Sequence, residues 1–479
     1  MKKNQSPEKA AAKQAKADLK RKREIERREK DLAAPRGKSY LIYLFFIVCL
    51  IYITDEVASA IGTLLKTEIA NDMLAKYGDK SVGTLNLFMT VTAPVAAFGV
   101  IYKPLADRFG RKPFLLINTF GMCLGLVIIY MTNSIAGYLV GAALVQFFIT
   151  HDMQVVYIME SAPDKHRAKI YSCIKAIAML GVLMIPILRK TLMHETSQWR
   201  RVYIIPALVG LIVCVIALFL AKETDAFNRA RINYLKGNVE ENGTDKSGGM
   251  IASVKFMLKH KQLRWLFIAL IFCETGFIFT TDYEVIMSYG YAGRFLEQGL
   301  FADLPAALES VGVNQITDAI FLYPVGCALS QLLPGFISDK FGRKKSAVTM
   351  SALAMLCFLV FWLGSRYGLN PYVVGFFCGA SVGFFWANID TISLITGEST
   401  PTALRSSVLA VTYIPLGLGI GISYGFANLF MMLFGNTVVG IVSLCLAVPG
   451  LFADFLILSS KVKDTRGVDL TAVRGDEWD

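Results

Sequence analysis

Apolar runs of about twenty residues recur along almost the whole chain, and nothing else constrains its fold as strongly. A run of that length is what an α-helix needs to cross the hydrocarbon of a bilayer. We read twelve, at 40–65, 82–105, 114–131, 136–159, 170–188, 202–221, 263–289, 316–337, 347–363, 372–397, 408–434 and 438–458. Inside lipid every backbone N–H and C=O must find a partner within its own span, so each run predicts a helix. Composition agrees: 18% of the 479 residues are charged and 54% hydrophobic, whereas a soluble domain carries roughly 25% charged residues. The expected class is an all-α membrane protein.

All nine cysteines lie inside these runs. They read as small apolar packing residues, not disulfides. With only four histidines and no Cys/His cluster, neither a metal site nor a cofactor is expected. Residues 1–38 are rich in Lys and Arg, densest at KRKREIERREK (20–30). This tail predicts a charged helix or a disordered arm, and its natural partner is an anionic lipid headgroup rather than nucleic acid. Basic residues also fill the connections near 106–112, 165–169, 222–264 and 338–345, and the end from 461. With twelve spans all of these fall on one side, which the positive-inside rule makes cytoplasmic. One connection dissents: LRKTLMHETSQWRR (188–201) carries Arg189, Lys190, Arg200 and Arg201 on the opposite side.

Within this frame the chain repeats itself. ADRFGRKPFL (106–115) returns as SDKFGRKKSA (338–347), and ESAPDKHR (160–167) as ESTPTALR (398–405). The spacings agree, since 107 to 160 is 53 positions and 339 to 398 is 59. YITDEVASAIG (52–62) similarly resembles FTTDYEVIMSYG (279–290). The expected organisation is a tail (1–38), a six-helix half (39–221), a polar linker (222–262), a second six-helix half (263–459) and a short end (460–479). Parallel halves of this kind occur in membrane transporters.

The repeated run resembles the loop signature of the major facilitator superfamily, G-x-L-A-D-R-x-G-R-K. GFISDKFGRK (335–344) fits it well, and KPLADRFGRK (103–112) departs only where Lys103 replaces Gly. Two further stretches, AKETDAF (221–227) and KDTRGVDL (463–470), resemble the segments after helices 6 and 12 of sugar porters and their organic-ion relatives. The glutamine-rich helix 7 signature of true sugar porters is absent from FCETGFIFTTDYE (272–284). The resemblance covers about residues 40–470. It implies two cytoplasmic latches, one of Asp107, Arg108, Gly110, Arg111, Glu160 and Arg167, the other of Asp339, Gly342, Arg343, Glu398 and Arg405. It implies that they hold an outward-open state and part when the inside opens. Gly110 and Gly342 permit the tight turn. Asp107 and Asp339, each ending a helix against its own dipole, are expected to face a basic partner or another helix's N-terminus.

Acids at bilayer depth are costly and mark function. Asp55 and Glu56 lie in the first run, Asp152 in the fourth, Glu274, Asp282 and Glu284 in the seventh and Asp390 in the tenth. In the superfamily these four helices line the central cavity. Lys175, eight residues past Arg167, reaches about the depth of Asp152, roughly 12 Å in, and a Lys175–Asp152 pair is expected. The matching position in the second half is Tyr413, leaving Asp390 without an obvious cation. Trp386 and Asn388 on neighbouring turns then make Asp390 the expected seat of an amine or a polar neutral solute. The chain lacks a Walker loop and a nucleophile–base set, so neither ATP coupling nor enzyme activity is expected. The reading is a monomeric secondary transporter in the plasma membrane. It moves a small polar or cationic solute, sugar-like or an organic cation, by alternating access with protons. The alternatives are a proton/drug antiporter, a lipid flippase, or a non-transporting nutrient receptor signalling through the tail.

Overall fold

The computed structural model describes residues 7–33, 38–90, 109–149, 157, 167–236, 250–401, 408–409 and 411–467. The tail forms α1 (Pro7–Ala33). The first half contains α2 (Lys38–Ile61), α3 (Lys66–Met73), α4 (Ser81–Thr90), α5 (Arg111–Met131), α6 (Ile135–Ile149), α7 (Arg167–Gly181), α8 (Met184–Leu192) and α9 (Arg201–Leu220). The connection carries α10 (Asp225–Leu235) and α11 (Met250–Lys259). The second half contains α12 (Lys261–Glu274), α13 (Phe277–Thr281), α14 (Tyr283–Glu297), α15 (Leu304–Val311), α16 (Thr317–Phe341), α17 (Arg343–Tyr367), α18 (Pro371–Glu398), α19 (Tyr413–Phe434) and α20 (Val439–Lys461). The described residues contain no strand.

Among the described residues seven helical stretches are long and apolar enough to cross a membrane, and α2 with α3, bent by 50°, makes an eighth if the bent pair is one span. The remaining expected spans are broken or only partly described. The seventh run is three helices, α12, α13 and α14, with breaks at Thr275–Gly276 and at Asp282. Asp282 leaves helical geometry at φ −116° and ψ 19°. The fifth run divides into α7 and α8. The architecture is two pseudo-symmetric six-helix bundles.

Within the second half α16 and α18 touch backbone to backbone. A methyl group at Gly375 or Gly379 would collide with the carbonyls of Ala319 and Tyr323. With no water in the hydrocarbon, such close van der Waals contact between small residues is what holds helices together. Around it Phe279, Phe358 and Phe385 fill the core, with ring centroids 4.8 Å (Phe279–Phe358) and 5.4 Å (Phe279–Phe385) apart.

The tail is a helix, and it is docked. Its Ala, Lys, Arg and Glu favour helix formation, and Glu24 and Arg28 pair one turn apart at 3.1 Å. Arg28 donates to Asn228 Oδ1 at 2.8 Å and lies 5.0 Å over the Phe227 ring. Arg231 reaches Glu24 at 3.3 Å and Lys236 reaches Glu29 at 2.7 Å. Burial acts to raise the Glu24 carboxyl, but its hydrogen bonds from Arg28 and Arg231 outweigh that and hold its pKa below the usual value. Several of the tail's charges are therefore spent on α10.

Candidate functional site

The two Gly-Arg-Lys turns bind carboxylates. Glu223 Oε1 accepts from the backbone N–H groups of Arg111 at 2.9 Å and Lys112 at 3.2 Å, at the start of α5. Asp464 Oδ1 accepts from the N–H of Lys344 at 3.2 Å, at the start of α17. A helix N-terminus presents free N–H groups to an anion. Each half thus plugs its third helix with an acid from just beyond its sixth, in KET (222–224) and KDT (463–465). This explains the glycines more fully than a tight turn does. Gly110 (φ 116°) and Gly342 (φ 103°) adopt a backbone that side chains disfavour, and a Cβ there would fall on the Glu223 or Asp464 carboxylate.

In the second half Arg343 meets Asp339 at 3.1 Å and Glu398 at 3.2 Å, and donates to Ser338 Oγ at 2.8 Å. Asp339 therefore has the basic partner expected of it. In the first half Arg111 lies 5.5 Å over Phe227, and Arg167 opens α7. Asp107, Arg108, Glu160 and Arg405 lie outside the described residues, as do Lys103 and His151. The described latch contacts all stay within one half.

Between the halves Lys175 on α7 meets Asp390 on α18 at 3.1 Å. Asp390 thus has a cation, contrary to the expectation that it stands without one. The repeat logic compared like positions within each half, and this cation comes from the other half. Asp152, the expected partner of Lys175, lies outside the described residues. The Asp390 side chain is 61% exposed, and Trp386, one turn earlier on the same face, is also exposed. Phe277 packs edge-on to Trp386 with centroids 6.2 Å apart and against Tyr424 at 5.6 Å. Asn388 does not join them. Two residues from Asp390, it points to the other side of α18, where it is fully buried and donates to Asp454 on α20 at 2.7 Å. Asp55 is buried in α2 and Glu56 half-buried beside it. Glu274 is buried at the end of α12, packed on Gly419 of α19, and neither carboxylate oxygen has a hydrogen-bond partner.

At the far end of the bundle, away from the Gly-Arg-Lys turns, polar contacts join the halves. Lys66 on α3 pairs with Asp282, which also accepts from Asn86 on α4 at 2.7 Å. Glu284 accepts from the N–H and hydroxyl of Thr67 at 2.9 and 2.8 Å. Arg189 on α8 binds Glu68 at 2.5 Å and donates to the carbonyl of Gly312, in the other half, at 2.8 Å. Asn436 Oδ1 accepts from the N–H of Gly83 at 3.2 Å, and Glu309 accepts from Thr196. The described structure is sealed at this end.

Lys66, Glu68 and Arg189 flank the apolar runs, where a charge reads as solvated, so the sequence does not single them out as site residues. The signal was the dissenting basic connection. Two of its four charges are neutralised, Arg189 by Glu68 and Arg200 by Asp72 at 2.6 Å.

Two helical bundles, joined by polar contacts that close one end and meeting at an ion pair deeper in, define a membrane carrier of the alternating-access type. The Major Facilitator Superfamily model matches residues 44–302, and the chain belongs to that family. It is a multi-pass membrane transporter, not an enzyme. The Sugar (and other) transporter model matches residues 268–460. The chain is 24% identical over 375 residues to the alpha-ketoglutarate permease of Escherichia coli, covering 70% of this chain and 74% of that one. It is 22% identical over 293 residues to the bicyclomycin resistance protein homolog of Haemophilus influenzae, covering 60% and 63%. Its fold is similar to that of the E. coli xylose transporter XylE in an inward open conformation, with TM-score 0.60 and 14% identity over 92% of this chain and 100% of that one.

Proposed function

We propose that this transporter moves a small, polar, hydroxyl-bearing solute, sugar-like rather than cationic, together with a proton. The carrying observation is the Lys175–Asp390 pair, 3.1 Å across the two halves and exposed beside Trp386. An ammonium and a carboxylate side by side offer a donor and an acceptor to adjacent hydroxyls. An indole face beside them suits the apolar face of a sugar ring. An organic cation would instead have to displace Lys175. The match to the sugar transporter model across the second half, and the likeness to a xylose transporter, support this choice.

The same pair supplies a route for the proton. Asp390 is the carboxylate we assign to the coupled proton: Lys175 of the other half meets it at 3.1 Å while the bundles touch there, and the two part when the bundles separate. The clustering of basic residues at the Gly-Arg-Lys end supports an orientation with both termini in the cytoplasm; the reading takes the protein as a monomer of the plasma membrane.

The test is internal pH in proteoliposomes carrying a trapped dye, while panels of sugars, amines, amino acids and carboxylates are added outside. Sugars should evoke proton entry, and Asp390→Asn should abolish it. Uptake without a pH change in either protein would make the chain a facilitator. A response confined to amines would overturn the solute class.

A further inference from the structure

The far-end seal holds an unbalanced charge. Lys66, Glu68, Arg189, Asp282 and Glu284 are all buried, none more than 8% exposed. Two are cations and three are carboxylates. Lys66 satisfies Asp282, and Arg189 satisfies one oxygen of Glu68. Glu284 rests on Thr67 and on the Ser288 hydroxyl at 2.6 Å, neutral donors only. The other Glu68 oxygen, Oε2, is buried with no hydrogen-bond partner. Around the pair stand Lys66 and Thr67 on α3, Arg189 on α8, Tyr203 on α9, and Asp282, Tyr283, Ser288 and Tyr289 on α14. The described residues supply no third cation there. A buried, uncompensated carboxylate is one of the costliest arrangements a fold can hold. Glu284 accepts from Thr67, the residue next to Glu68, so both carboxylates belong to one buried cluster, and one added proton would relieve its charge.

There is also a way in. A cavity of about 510 Å³ lies over the seal, lined by Thr67, Glu68, Asn71, Asp79, Ser288 and Glu309 among others. Its rim acids Asp79 and Glu309 are exposed. With the termini cytoplasmic, this vestibule faces the outside.

We propose that the outer seal is a proton site in its own right, in which Glu68 and Glu284 together take one proton from the vestibule as the halves close and return it as they part. The balance is simple: two hydrated carboxylates plus one external proton become a buried pair carrying one negative charge, which Arg189 neutralises. External acid therefore favours the closed outer end and pushes the carrier towards its inward-facing state. The inference rests on alternating access, not on Asp390 as carrier of the coupled proton.

The experiment uses full-length protein in lipid nanodiscs, with fluorophores attached through non-natural residues at His194 and Gln298, both exposed at this end. Labelling at His194 also removes a histidine that would itself titrate. Energy transfer reports the outer opening as pH changes. In the otherwise unaltered protein the closed-to-open ratio should rise with acid, by up to about tenfold per tenfold proton concentration. Glu68→Gln and Glu284→Gln should each stay closed and respond by less than about twofold over the same range. Glu195→Gln, an exposed carboxylate outside the seal, should respond like the parent.

A pH response that survives in both glutamine variants, or a parent without one, overturns the proposal. Sugar-evoked proton entry in liposomes is read separately. Its presence without a pH-dependent opening would leave the transport reading intact and remove this one. The reverse result would do the opposite.

Discussion

The two ends of the molecule use ion pairs in opposite ways. At the Gly-Arg-Lys end the described pairs stay within a half: Arg343 with Asp339 and Glu398, and Glu223 and Asp464 on the helix starts. They are partly solvated, and such pairs contribute about 1 kcal/mol or less each. At the far end the buried Lys66–Asp282 pair crosses between the halves, and Arg189, paired with Glu68 in its own half, also donates to the Gly312 carbonyl of the other. A contact within a half survives when the halves rock, whereas a contact between halves must break. On the proposed alternating-access reading, the described contacts of the first end would stay intact as the bundles move, and those crossing at the second would set which way the carrier faces.

The comparison is broken most severely at Arg189. Arg189→Met strands Glu68 in a buried site, so the closed form should lose about 3–5 kcal/mol. Thermal unfolding in detergent would show the loss, and adding Glu68→Leu should restore much of it. If Arg189→Met unfolds like the parent, the far end is not held by this pair.

Next come the glycines. Gly342→Ala forces a Cβ onto Asp464 at a positive φ and should cost about 1–3 kcal/mol. Gly110→Ala should cost a similar amount against Glu223. Asp464→Ala combined with Gly342→Ala should remove the collision but not the backbone strain, so its melting temperature should fall between the parent and the single glycine variant. Equal melting of all three proteins would end the plug interpretation.

Arg343→Gln should change stability by less than about 1 kcal/mol, yet alter the rate of transport measured in liposomes. A large drop in stability with normal transport would make the latch a structural element only.

The smallest effect concerns the tail. Glu24 has its pKa lowered in the docked state, so it favours docking above its ordinary value of 4.5 and loses that contribution as pH falls below it. Proteolysis of α1 should therefore accelerate on acidification through that range. Glu24→Gln should weaken docking at neutral pH and flatten the dependence, and an unchanged acid response in that variant would assign docking to other groups.

Much of this was legible in the sequence. The apolar runs gave the helical class, and the repeated ADRFGRK and SDKFGRK runs gave the two halves and the Arg343 network. Asp390 was legible as a polar group at depth, but its partner was not. Internal repetition relates Lys175 to Tyr413, a like position in the other half, whereas Lys175 and Asp390 meet because two bundles face one another. Asn388 failed for a related reason. Two residues along a helix turn a side chain by about 200°, so nearness in sequence placed it on the wrong side of α18. Glu68 and Arg189 were hidden because a charge at the end of an apolar run reads as solvated until a neighbouring bundle covers it.

Glu223 and Asp464 carry one further consequence. Each half is fastened by residues lying just after its own last span, so each is a self-closing unit with its clasp at its C-terminal edge. Two separately made fragments, parted within 237–249, should each fasten and then find one another in the membrane. The same cut moved a few residues ahead of Glu223, or a chain ending before Asp464, should leave one ring open and fail to assemble.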